Sequence, residues 1–319
     1  MQFKKSIFSV IAVLLLLGIA LLPAIFRGTS RVGLVGPDLS SFEREEVEFH
    51  NGGLKLAGMI FTPEGEGPFP VAVIIHGSGS SRRNSKWYLS VTRHLQDNGI
   101  AVLLPDKRGC EKSEGNWVGA NFDDLAGDTL AAVEFVRNRE ETDFSKIGLV
   151  GMSQGGWIAP VAAAGDEDIA FVVSMSGSTV TTDQQLLHEE VHNISEFTWP
   201  FIARLIAPVT TQRIQRMAHF QPISDFDPIP YWKKVSAPKF FAFGENDPNV
   251  PVEDSVEVLR ANSVAGLIKI YPNGGHAIRS FETNGVQIEF LDDLVEFVRA
   301  STDDLLVESG TGCPDEPQA

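Results

Sequence analysis

The chain has 319 residues, of which 43% are hydrophobic, 9% aromatic and 21% charged, and it carries a formal net charge of −16. This balance excludes a disordered chain and a protein built of many membrane spans, and the acidic excess argues against a nucleic-acid partner, whose phosphates demand clustered basic residues. Only two cysteines occur, Cys110 and Cys313, so neither a disulfide framework nor a cysteine-based metal site holds the fold together.

In chain order, Lys4 and Lys5 precede an uncharged apolar run from Ser6 to Phe26, and Arg27 and Arg31 follow it. A basic start and an apolar stretch able to cross a hydrocarbon core, which needs about 20 residues, read as a signal anchor or a signal peptide. No clean small-residue cleavage site follows, which favours the uncleaved anchor. Residues 1–35 are therefore expected to tether an extracytoplasmic domain, on the periplasmic or secreted side, to a membrane.

Residues 36–306 alternate strand and helix signals. Period-two alternation on both sides of Asn51-Gly52 predicts a hairpin. Short apolar runs at 71–75, 100–104, 146–150, 170–175, 239–243 and 267–271 predict strands buried on both faces. Helical spacing appears at 124–139, at 252–261 after a proline, and at 288–300. Such alternation implies a mainly parallel sheet with helices on both faces. Residues 179–238 contain no strand signal and read as a helical insertion, while 307–319 are rich in Gly, Pro and acids and read as a disordered tail.

Three loops could carry chemistry. Gly151-Met152-Ser153-Gln154-Gly155 falls between a strand and a helix, a context that exposes Ser153 on a strained turn. A serine hydroxyl is inert at neutral pH without a base. Of seven histidines, His276 has the suitable address, in the loop after the last predicted strand. An acid must orient that imidazole; Asp247 follows the strand at 239–243, with Glu245 as its competitor. The order Ser153, Asp247, His276 is that of the α/β-hydrolase arrangement. The loop His76-Gly77-Ser78-Gly79 after the strand at 71–75 offers backbone N–H donors to a developing oxyanion, and these are assigned to Ser78 and Gln154. His76 itself reads as structural, packed beneath the loop.

Together these landmarks resemble the α/β-hydrolase superfamily over about residues 43–301, and within it the bacterial serine esterases related to dienelactone hydrolases and prolyl-oligopeptidase catalytic domains. Leu56-Ala57-Gly58 in the opening hairpin and Asp106-Lys107-Arg108-Gly109, read as a structural ion pair near the site, complete the set. The resemblance implies an eight-stranded, mostly parallel sheet, a serine nucleophile, no cofactor, and a cap between strands six and seven, where residues 179–238 fall. Cys110-Glu111-Lys112-Ser113 departs from the small-residue pattern usual after Arg-Gly.

The expected activity is cleavage of small-molecule carboxylic esters through an acyl-enzyme, with a serine peptidase or acyl-thioesterase as the alternative on the same machinery. A minor alternative is a zinc hydrolase, because His188-Glu189-Glu190-Val191-His192 satisfies H-E-x-x-H, with Glu196 or His219 as a conceivable third ligand. A non-catalytic binding protein on the same fold is the other.

Overall fold

The computed structural model describes residues 33–139 and 144–303, together with Gly18, Pro23 and Ala24. Most of the expected N-terminal anchor, the tail at 307–319 and Cys313 lie outside the described residues. Among those described, no helix is long and apolar enough to cross a membrane.

Eight strands form one sheet in the order β1-β2-β4-β3-β5-β6-β7-β8. β1 (Glu45–Asn51) and β2 (Leu54–Phe61) make the predicted antiparallel hairpin, closed by Gly52 and Gly53, and β2 also runs antiparallel to β4. From β4 (Ala101–Pro105) through β3 (Phe69–Ile75), β5 (Phe144–Met152), β6 (Val172–Met175), β7 (Lys239–Gly244) and β8 (Leu267–Tyr271) every pairing is parallel.

Strand side chains alternate between two cores, as parallel strands covered on both faces require. Val71, Val73 and Ile75 face one side and pack with α2 (Phe122–Arg137), α3 (Gly155–Ala163) and α7 (Val252–Ala261). Ala72 and Ile74 face the other, with α1 (Lys86–Asp97) and α8 (Ile288–Thr302). α2 starts where a reciprocal capping box forms between Asn121 and Asp124, two residues before the periodic stretch suggested. β8 departs from the expectation of burial on both faces. It is the edge of the sheet, paired on one side only, and Leu267 and Ile270 are 41% and 47% exposed.

Between β6 and β7 the chain builds a helical cap from α4 (Thr182–Ser195), α5 (Pro200–Gln215) and α6 (Ile229–Trp232). A Thr181/Gln184 capping box starts α4. α5 buries only Ala203, Ala207 and Thr211, a stripe of small side chains at i, i+4, i+8. Cap residues Leu186, Phe220, Ile223 and Trp232 join the core on the α2/α3 side, so the insertion is packed onto the sheet domain.

The loops that follow β3, β4, β5, β7 and β8 all leave the sheet at its carboxyl edge, where open α/β sheets place their ligand sites.

Candidate active site

Ser153 occupies the two-residue turn between β5 and α3 with φ +55°, a left-handed conformation that costs a residue with a Cβ about 1–2 kcal/mol. Backbone hydrogen bonds hold it there: Ser153 N–H donates to the Met175 carbonyl (2.9 Å), and Gly156 N–H donates to the Ser153 carbonyl (2.8 Å). The flanking glycines are sterically required. A Cβ at Gly151 would overlap the Gly155 carbonyl, and one at Gly155 would overlap the Ile75 carbonyl. The strain therefore sits where the backbone is most tightly specified, with the hydroxyl at the amino end of α3.

β7 and β8 bring the other two groups together. Gly244 lies so close to Gly275 that any side chain would strike the latter's carbonyl, and Gly275 N–H donates to the Glu245 carbonyl (2.9 Å). The His276 ring is thereby set between the two loops. Its Nδ1–H donates to both carboxylate oxygens of Asp247 (3.0 and 2.9 Å), which leaves the Nε2 lone pair to accept from Ser153 Oγ (2.9 Å). The Asp247 side chain is fully buried and also accepts from the N–H groups of Asn249 (2.8 Å) and Val250 (3.1 Å), so the carboxyl group is fixed in place. Glu245 instead accepts from the Asn273 N–H (3.0 Å) and ties the two loops together. Trp87 on α1 packs against the imidazole in a tilted arrangement, ring centroids 5.4 Å apart.

The loop after β3 runs beside this row. Gly77 packs against the Ser153 Cβ, and the N–H groups of Ser78 and Gln154 have no acceptor among the described residues. Both residues line the cavity that contains Ser153. His76 lies beneath the loop as read from the sequence. Its Nε2–H donates to the Pro105 carbonyl, it meets Tyr88 edge-on, and burial holds its pKa down at about 4, so it stays neutral.

Asp106-Lys107-Arg108 contributes to two ion pairs near the site where the sequence suggested one, because the three side chains take separate partners. Asp106 pairs with Arg83 through two hydrogen bonds (2.7 and 2.6 Å) and Arg108 with Asp128 (2.6 and 2.8 Å). Lys107 donates to the Gly77 carbonyl (2.8 Å) and to Gln154 Oε1 (3.0 Å), and burial lowers its pKa to about 8. A trans peptide directs its N–H opposite to its C=O. By holding the Gly77 carbonyl, Lys107 aims the Ser78 N–H away from itself. Nothing in the sequence distinguished this lysine from its two charged neighbours. Glu111 adopts φ +50° and its carboxylate accepts from the Arg83 N–H, so the atypical loop wraps the Arg83–Asp106 pair.

The cap closes a cavity of about 270 Å³ over Ser153. Leu186, Ile214, Phe220 and Ile223 from the cap and Trp157 from α3 supply apolar walls, while Gln185, Glu189, Glu190, His219 and Asn249 add polar ones. The H-E-x-x-H helix is α4, and its geometry is not that of a zinc site. His188 Nε2–H donates to the Asp247 backbone carbonyl (3.3 Å), Glu189 lines the cavity, and no group of three or more His, Cys, Asp or Glu among the described residues is placed to hold a metal ion.

Residues 72–285 match the alpha/beta hydrolase family, and the chain belongs to it. The esterase EstD of Thermotoga maritima is 25% identical over 273 residues, covering 80% of this chain and 64% of that protein. The human acylamino-acid-releasing enzyme is 26% identical over 261 residues, covering 75% of this chain and 33% of that enzyme. The chain thus spans less than two thirds of either relative's length. Among solved structures, an esterase of Pyrococcus furiosus shares the fold with a TM-score of 0.63 at 19% identity, over 87% of this chain and 100% of that one. A dienelactone hydrolase of Anabaena variabilis does so with a TM-score of 0.56 at 20% identity, over 81% and 97%.

Proposed function

We propose that the chain is a serine hydrolase that cleaves small carboxylic esters through an acyl-enzyme. The observation that carries this reading is the unbroken row of hydrogen bonds from Ser153 Oγ through the His276 ring to buried Asp247, opening into a cavity. His276 Nε2 removes the Ser153 proton as Oγ attacks the ester carbonyl, and Asp247 stabilises the imidazolium and fixes its tautomer. The oxygen that becomes negative is held by the free N–H groups of Ser78 and Gln154, at the positive end of α3. His276 then delivers the proton to the leaving alcohol. A water activated by the same nitrogen releases the acid and restores the hydroxyl.

Ser153→Ala should abolish turnover of short p-nitrophenyl esters while the circular dichroism spectrum and melting temperature stay close to wild type. Turnover that survives this substitution rules out the nucleophile assignment.

The likeness to acylamino-acid-releasing enzymes favours one second reading, a serine peptidase using the same three groups. Parallel assays on matched ester, thioester and amide substrates separate the two, because cap and pocket shape decide substrate choice.

We also infer an extracytoplasmic location with the domain tethered through residues 1–35. This rests on Lys4, Lys5 and the uncharged run that follows them. The full chain should sediment with membranes, and its folded domain should be open to external protease in spheroplasts.

A further inference from the structure

Resting on the ester-hydrolase reading, we propose that Glu189 makes the cavity selective for esters carrying a positively charged group close to the scissile carbonyl. The cavity walls hold four ionisable side chains, Lys107, Glu189, Glu190 and His219, and they are not evenly distributed. Lys107 lies at the oxyanion end with its ammonium directed at the Gly77 carbonyl and the Gln154 side chain. Glu189 and Glu190 come from α4 in the cap, on the side where the His188 ring and the Gln185 amide grip the Asp247 loop. The space is therefore polarised, positive beside the expected oxyanion and negative across from it.

Glu189 is held for this task. Its carboxylate accepts from Gln185 Nε2 (3.1 Å), and the same nitrogen donates to the Asn249 carbonyl (2.7 Å), which fixes the acid relative to the loop that carries Asp247. No lysine or arginine among the described residues forms an ion pair with it. Burial raises its pKa, and only the Gln185 hydrogen bond and the attraction of His276 act in the other direction. Glu189 is part-buried in the cavity wall, and a partly desolvated carboxylate with no lysine or arginine beside it favours a cationic ligand over an anionic one. Glu190, bonded to Asn193, adds a second negative charge to the same wall. The overall charge of −16 extends that field outward and raises the local concentration of cationic substrates. At about 270 Å³ the cavity suits a compact substrate, since drug-sized ligands occupy pockets of about 300 Å³ or more.

The test uses the whole protein and two matched pairs of esters. One pair is acetylcholine and its uncharged carbon isostere, in which carbon replaces the quaternary nitrogen. The other is a p-nitrophenyl ester with a trimethylammonio group at the end of a short acyl chain, and its tert-butyl isostere. Wild type should prefer the cationic member of at least one pair by about tenfold in kcat/KM, the scale of one charge-assisted contact. The pair that shows the preference identifies which side of the carbonyl faces Glu189. Within each variant the ratio of cationic to neutral kcat/KM is the readout, because a purely structural defect lowers both members alike. The ratio should fall to about one in Glu189→Gln, be partly kept in Glu189→Asp, and drop below one, in favour of the neutral member, in Glu189→Lys. Choline, which contains no ester, should raise the melting temperature of wild type more than that of Glu189→Gln, a readout independent of turnover. No cationic preference in either pair, or a preference unchanged by Glu189→Gln, overturns the proposal. Failure to hydrolyse any ester, cationic or neutral, overturns the ester-hydrolase reading instead, with the choline shift still reporting on Glu189.

Discussion

Replacing Lys107 by methionine removes an ammonium from beneath the oxyanion loop while keeping an apolar side chain of similar length. Two acceptors lose their partner, the Gly77 carbonyl (2.8 Å) and Gln154 Oε1 (3.0 Å). The first of these orients the peptide that presents the Ser78 N–H. Full loss of one oxyanion donor lowers kcat by about 10²–10³. In Lys107→Met the amide itself remains and only its aim is relaxed, so kcat should fall about 10- to 100-fold, or about 1.4–2.8 kcal/mol of transition-state stabilisation. KM should change little, because the ground-state carbonyl depends less on those donors than the oxyanion does. The same substitution should weaken a boronic acid transition-state analogue by a similar factor. Burial brings Lys107 down from its ordinary 10.5 to about 8 in the folded chain. Wild-type kcat should accordingly decline as pH rises through about 8, and this decline should be missing from Lys107→Met. Stability runs the other way: between about 8 and 10.5 the unfolded chain binds more protons than the folded one, so the contribution of this group to stability increases with pH. A Lys107→Met enzyme with wild-type kcat and the same alkaline limb would refute the positioning argument.

Asp247→Asn should leave the fold intact yet lower kcat by about 10³–10⁴, since an amide can neither stabilise the imidazolium nor enforce the tautomer that accepts from Ser153; steady-state kinetics with a melting curve checks this. Gly151→Ala forces a methyl group into the Gly155 carbonyl. It should lower the melting temperature and the soluble yield, whereas alanine at solvent-facing Gly53, with nothing near its Cβ, should be tolerated. Asp106→Ala removes the buried partner of Arg83, a carboxylate only 2% exposed, and leaves the guanidinium with Glu46 (2.6 Å) as its remaining counter-ion. It should cost about 1.5–3 kcal/mol in denaturant unfolding, because charge-assisted hydrogen bonds are lost while one ion pair is kept.

The parallel strands were readable because burial on both faces writes them as short continuous apolar runs, and β3, β5 and β7 match those runs closely. Leu267–Tyr271 carries the same kind of run, but the sheet ends there, and no local pattern reports which strand has a neighbour on only one side. α1 escaped notice although Tyr88, Leu89, Val91 and Leu95 repeat at helical spacing; its Ser85 N-cap makes no side-chain bond, and charged and polar residues interrupt the period. Ser153, Asp247 and His276 stood out because each follows a strand, so chain order alone predicts that they converge. The partners of Asp106, Lys107 and Arg108 could not be inferred in this way. Asp106 reaches Arg83 and Arg108 reaches Asp128, far along the chain, and only the assembled loops leave Lys107 facing Gly77. Glu189 was hidden differently. H-E-x-x-H describes one helix face, but what that face meets is set by docking of the cap, which turns His188 to the Asp247 loop and Glu189 to the cavity.

Labelling with a fluorophosphonate followed by mass spectrometry of the proteolysed chain tests the active serine most directly. One adduct is expected, on the peptide containing Ser153, absent from Ser153→Ala and formed far more slowly in His276→Ala. An adduct on another residue, or equal labelling with and without the imidazole, would contradict it.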